Sequence, residues 1–142
     1  MTEWLFESTT HAIGYEAFGH EVPLSACDWI PEPLRAGMIL VPKTPGDPEI
    51  LAAELSGKLP ADRVCIFVPG TRFDASGTRI GRGEGWYDRF LAAVPEPWTR
   101  IGVTDAAYFS ETLLPRAPYD EPMNVVIVRS GKSWRAYRTG SR

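Results

Sequence analysis

Three glycines at alternate positions, Gly81, Gly83 and Gly85, stand between an apolar run at residues 64–68 and a segment with Trp86, Tyr87, Phe90, Leu91 and Val94 at helical spacing. Strand, glycine-rich turn and helix in that order constrain the chain more than any other feature. Such a turn presents backbone N–H groups to an anion at a helix N-terminus. Glycine lets the backbone approach a ligand closely. Arg79, Arg82 and Arg89 surround the turn, and arginine offers a fixed charge and a fork of donors suited to phosphate. Asp88, one helical turn in, is placed to meet a cation that a nucleotide brings with it, since magnesium is usually held by one or two carboxylates plus substrate phosphates. No Gly-Lys-Ser/Thr follows, and the glycine spacing differs from the dinucleotide fingerprint. An irregular turn with Trp86 and Tyr87 packed in the core fits the same residues, so the residue chemistry leaves both readings open.

The rest of the chain reads as strands alternating with helices. Residues 11–15, 37–42, 63–68, 100–104 and 125–128 are short apolar runs that predict strands. Residues 134–138 are placed to pair with the last of these across a turn at Ser130 and Gly131. Asp47 followed by Pro48 signals a helix start, and its pattern stops at Gly57. Residues 25–34 have helical character interrupted by Pro31 and Pro33. Asp74 and Gly77 mark a turn in residues 73–78. The expectation is one α/β domain over residues 1–142, three layers with a mainly parallel sheet flanked by helices, residues 1–11 and 139–142 being disordered. Ligands of such sheets gather at the carboxyl ends of the strands.

Charge and cysteine content narrow the function classes. The formal charge of −3 argues against a nucleic-acid partner, whose binding rests on phosphate neutralisation. No Lys or Arg precedes Arg35, whereas Arg129, Lys132, Arg135, Arg138 and Arg142 form a basic tail; a solvated surface and a contribution to an anion site both fit it. Cys27 and Cys65 are too far apart in sequence to suggest a zinc site or a disulfide framework. A reducing, cytoplasmic setting follows, with no signal peptide and no membrane span expected.

The same glycine-rich stretch resembles the 5-formyltetrahydrofolate cyclo-ligase family. The resemblance is carried by Pro69-Gly70, Phe73-Asp74, Gly77, Arg79-Ile80-Gly81, Gly83, Gly85 and Trp86-Tyr87-Asp88. Downstream, Ile101-Gly102, Leu114-Pro115, Pro118-Tyr119-Asp120 and residues 123–127 continue it; upstream, Tyr15, Glu21-Val22 and residues 37–42 match less closely. The resemblance implies ATP and Mg2+ as cofactors, a reduced folate as substrate, and conversion of 5-formyltetrahydrofolate to 5,10-methenyltetrahydrofolate. It implies that Arg79, Ile80, Gly81, Arg82, Gly83, Glu84, Gly85, Trp86 and Tyr87 wrap the nucleotide, with Arg82, Trp86 and Tyr87 catalytic. It assigns Glu21 and Trp86 to the folate, and Asp88 and Asp120 to the metal.

Four departures from the family pattern bear on activity. No match to the family's N-terminal basic helix is found, and a short form is the expectation. The stretch between Pro42 and Arg63 is shorter than the family's. Glu84 stands where glycine or lysine is usual, a repulsive neighbour for triphosphate unless Arg82 or Arg89 pairs with it. Tyr119 stands where histidine is usual. Two alternatives to a complete enzyme follow: a relative that binds a nucleotide, folate or other anion without turnover, and an enzyme completed by a partner subunit or an oligomer.

Overall fold

A computed structural model describes residues 2–142. The central sheet contains β1 (His11–Tyr15), β2 (Ile39–Val41), β3 (Val64–Val68), β6 (Thr99–Asp105), β8 (Val125–Ser130) and β9 (Ser133–Arg138). Their order is β2-β1-β3-β6-β8-β9, and every pairing is parallel except β8 with β9. The β8–β9 hairpin turns at Gly131, as the sequence suggests. A second, small sheet joins β4 (Arg72–Asp74), β5 (Arg79–Ile80) and β7 (Phe109–Ser110). This small sheet has no periodic signature in the sequence, because its strands are two or three residues long.

Alternate residues of β3 and β8 enter opposite layers, as the pleat requires. Val64, Ile66 and Val68 of β3 face one core with α2 (Pro48–Lys58) and α3 (Trp86–Ala93). Cys65 and Phe67 face the other core, which is closed by Phe6, Val22, Leu24, Ile30 and Leu34. The result is the three-layer α/β architecture expected. Burial of the two thiols pushes both up to about 12, which fits inert packing residues rather than nucleophiles.

The 25–34 stretch is not one helix. It divides into a 3-10 turn at Leu24–Ala26 and the short α1 (Glu32–Ala36), with Pro31 as N-cap and Pro33 inside the first turn. Proline is tolerated there because the first-turn amides have no intrahelical partner. Helix α2 runs one residue past Gly57, to Lys58. Within the terminal segments expected to be disordered, residues 3–5 form a 3-10 turn, Phe6 is buried, and the Thr139 hydroxyl donates to Met123 O at 2.6 Å. No helix among the described residues is long and apolar enough to cross a membrane.

Candidate active site

The strand order reverses at β1: β2 lies on one side of it and β3 on the other. Loops leaving the carboxyl ends of β1 and β3 therefore diverge and leave a crevice, the usual ligand position in an open α/β sheet. A cleft of about 730 Å³ opens there. Its walls are Tyr15, Glu16 and Phe18 after β1, residues 41–45 after β2, Pro69 after β3, the whole 79–88 segment, and Pro115, Tyr119 and Asp120. All nine residues assigned to the nucleotide line this one cleft, together with Asp88 and Asp120.

The two main helices begin differently. Helix α2 is capped by Asp47, whose Oδ1 accepts from Glu49 N at 2.9 Å and Ile50 N at 3.0 Å. Helix α3 starts after Gly85 in left-handed conformation, φ 67°, with no side-chain cap. Its first-turn amides are thus left for a ligand or solvent.

Arg79 is half-buried at the cleft wall. Its Nε donates to Pro69 O, and its guanidinium carbon lies 5.0 Å from the centroid of the Tyr87 ring. Burial pulls the guanidinium below its ordinary value, against the nearby carboxylates of Asp88 and Glu21; arginine stays charged throughout. A Cβ at Gly81 would lie 2.9 Å from Arg79 Nη2, so glycine there leaves room for the fork. Burial also raises the Tyr87 phenol, opposed by Arg79, and raises Tyr15 strongly. Both are neutral donors at physiological pH, and Tyr15 Oη already donates to Val22 O at 2.6 Å.

The two candidate metal carboxylates each spend one oxygen on the backbone. Asp88 Oδ1 accepts from Glu121 N at 3.0 Å, and Asp120 Oδ2 accepts from Ala117 N at 2.7 Å. Neither has a cationic side chain as ion-pair partner among the described residues. No group of three or more His, Cys, Asp or Glu stands ready for a metal among them. Two carboxylates fit an ion that draws its remaining ligands from phosphate and water, the common manner of magnesium.

Glu21 does not line the cleft; its Oε1 accepts from Phe18 N at 2.7 Å and holds the β1 loop. Trp86 Nε1 donates to Gly46 O at 2.7 Å, and its ring stacks on Phe90 with centroids 5.1 Å apart. Arg82 sits over Phe18, guanidinium to ring centroid 4.5 Å. Glu84 is paired with neither arginine, because Arg89 is engaged with Glu49 through contacts of 3.0 and 2.7 Å. The cleft therefore carries Lys43, Arg79 and Arg82 against Glu16, Glu84, Asp88 and Asp120. Lys43 and Phe18 had no local motif to mark them as site residues; only their position after strand ends could have done so.

Residues 52–129 match the model of the 5-formyltetrahydrofolate cyclo-ligase family. The chain is 37% identical over 89 residues to a 5-formyltetrahydrofolate cyclo-ligase of Mus musculus, covering 58% of this chain and 42% of that one. It is 31% identical over 68 residues to one of Mycoplasma genitalium, covering 48% and 40%. The matches thus span about two fifths of the length of these relatives. The structure of a 5,10-methenyltetrahydrofolate synthetase from Mycoplasma pneumoniae superposes with a TM-score of 0.54 over 83% of this chain and 72% of that chain, at 19% identity, a likeness of fold.

Proposed function

The chain belongs to the 5-formyltetrahydrofolate cyclo-ligase family, and from that premise we propose that it uses ATP to close 5-formyltetrahydrofolate to 5,10-methenyltetrahydrofolate. The observation that carries the reading is the convergence of the glycine-rich turn, Arg79, Asp88 and Asp120 on one cleft at the sheet's switch point. In this reaction the formyl oxygen takes the γ-phosphoryl group and ADP departs. The second folate nitrogen then attacks the activated carbon and gives up its proton to solvent, the oxygen leaves as phosphate, and the new C–N bond completes the ring.

The protein's share of phosphoryl transfer is positioning and charge neutralisation. The uncapped first turn of α3 and the free Nη groups of Arg79 supply donors for phosphate oxygens. Asp88 and Asp120 would hold Mg2+, which when bound neutralises phosphate charge. Tyr87, kept neutral by burial, offers a hydrogen-bond donor and a ring under Arg79. Trp86 and Phe18 give apolar walls to the ligand.

The test is ATP- and Mg2+-dependent growth of methenyl-tetrahydrofolate absorbance from 5-formyltetrahydrofolate by the pure chain. Turnover that vanishes in Asp88→Ala supports the reading; absence of turnover from folded protein that still binds ATP overturns it. Glu84 in the phosphate turn, without an ion-pair partner among the described residues, favours a second reading, a nucleotide or folate binder without turnover. Multiple turnovers by the wild-type chain would exclude that second reading.

A further inference from the structure

We infer that Lys43 is a phosphate-binding residue of the cleft, held at its post by Trp86. The inference rests on the nucleotide reading above and adds a side chain outside the glycine-rich segment. The cleft has more carboxylates than cations, so a polyphosphate needs every cation the walls can give. Arg82 already lies over the Phe18 ring. Lys43 lines the opposite strand end and makes no hydrogen bond or ion pair among the described residues.

Its loop is stiff and anchored. Pro42, Pro45 and Pro48 fix three backbone φ angles within seven residues. Asp47 closes the loop onto α2 through two amide contacts. The Trp86 Nε1 bond to Gly46 O, 2.7 Å, and the Glu49–Arg89 pair join the same segment to α3. The ammonium is therefore carried on a strap bolted to the helix whose N-terminus faces the cleft. A preorganised cation costs less entropy to engage than one on a free loop. Trp86 acts in this arrangement as a positioning residue.

The experiment is calorimetric titration of the full chain with ATP and with AMP, in Mg2+ and in chelator, for wild type, Lys43→Ala, Lys43→Arg, Trp86→Phe and the double variant Lys43→Ala/Trp86→Phe. Lys43→Ala is expected to weaken ATP binding about tenfold, the size of one charge-assisted contact, and AMP binding by under about twofold, since AMP lacks the distal phosphates. Lys43→Arg should retain most of the ATP affinity. Trp86→Phe should weaken ATP binding in the presence of Lys43 and add little in its absence. ATP affinity unchanged in Lys43→Ala overturns the inference while the nucleotide reading stands. Equal Trp86→Phe effects with and without Lys43 overturn the tether. A wild-type chain that binds neither nucleotide overturns the reading of the cleft itself, and the inference with it.

Discussion

Two turns flank the two-residue strand β5 and are built from similar letters, yet one is closed and the other open. In the turn of residues 73–78, Asp74 is 1% exposed and accepts from Ser76 N, Ser76 Oγ, Thr78 N and Leu114 N at 2.7–3.0 Å. Gly77 has φ +90°, and a Cβ there would lie 2.5 Å from Met123 O. In the turn of residues 81–85, Gly83 has φ +91° but nothing within 4 Å of its would-be Cβ, and the following helix has no cap. A carboxylate whose lone pairs are filled from the backbone is a structural element. One with a single backbone partner, such as Asp88 or Asp120, retains an oxygen for a ligand.

The sharpest way to break this contrast is to remove one carboxylate from each kind of place. Asp88→Ala should lower the proposed cyclo-ligase turnover by about 10²–10³-fold, as loss of a charge-stabilising group does, with little change in thermal midpoint. A large fall in midpoint would make Asp88 as structural as Asp74. Gly77→Ala should cost about 3 kcal/mol of stability, from a positive φ and a backbone clash together, read by denaturant unfolding.

Asp74→Asn comes next, at about 2 kcal/mol, because a buried four-donor acceptor is replaced by a group with one accepting atom. Burial raises the Asp74 carboxyl, but the four hydrogen bonds outweigh it and hold it below the ordinary 3.8. The folded value is the lower one, so the stability it confers is present above pH 3.8 and lost as pH falls through the folded value. The acid limb of a stability–pH curve should be flatter in Asp74→Asn than in wild type. The smallest effect is expected at Gly83→Ala, about 1 kcal/mol of backbone strain with no clash. A loss at Gly83 equal to that at Gly77 would show the open turn to be as tightly packed as the closed one.

Much of this was legible along the chain. The strand, turn and helix around residues 64–94 follow from apolar spacing and glycines. Asp47 and Pro48 announce α2, and the 125–138 hairpin follows from its central Gly131. The residues proposed for the nucleotide, 79–87, form one contiguous motif, and the cleft brings them together with Asp88 and Asp120. For Glu21 only the fold supplies the surroundings: one oxygen accepts from Phe18 N, and the residue lies outside the cleft lining. The partner of Arg89 was equally hidden, since Glu49 is forty positions away and only helix packing brings it near.

The sequence by itself determined the local states of the central strands, the starts of α2 and α3, and which turn is rich in glycine, arginine and carboxylate. Those depend on neighbours within a few residues, through pleat, helical period and allowed φ. Only the tertiary structure decided which loops face each other. The reversal of strand order at β1 puts Lys43 and Phe18 across from Arg79 and Asp88, and that meeting of distant loops is fixed by sheet order, which no local pattern encodes.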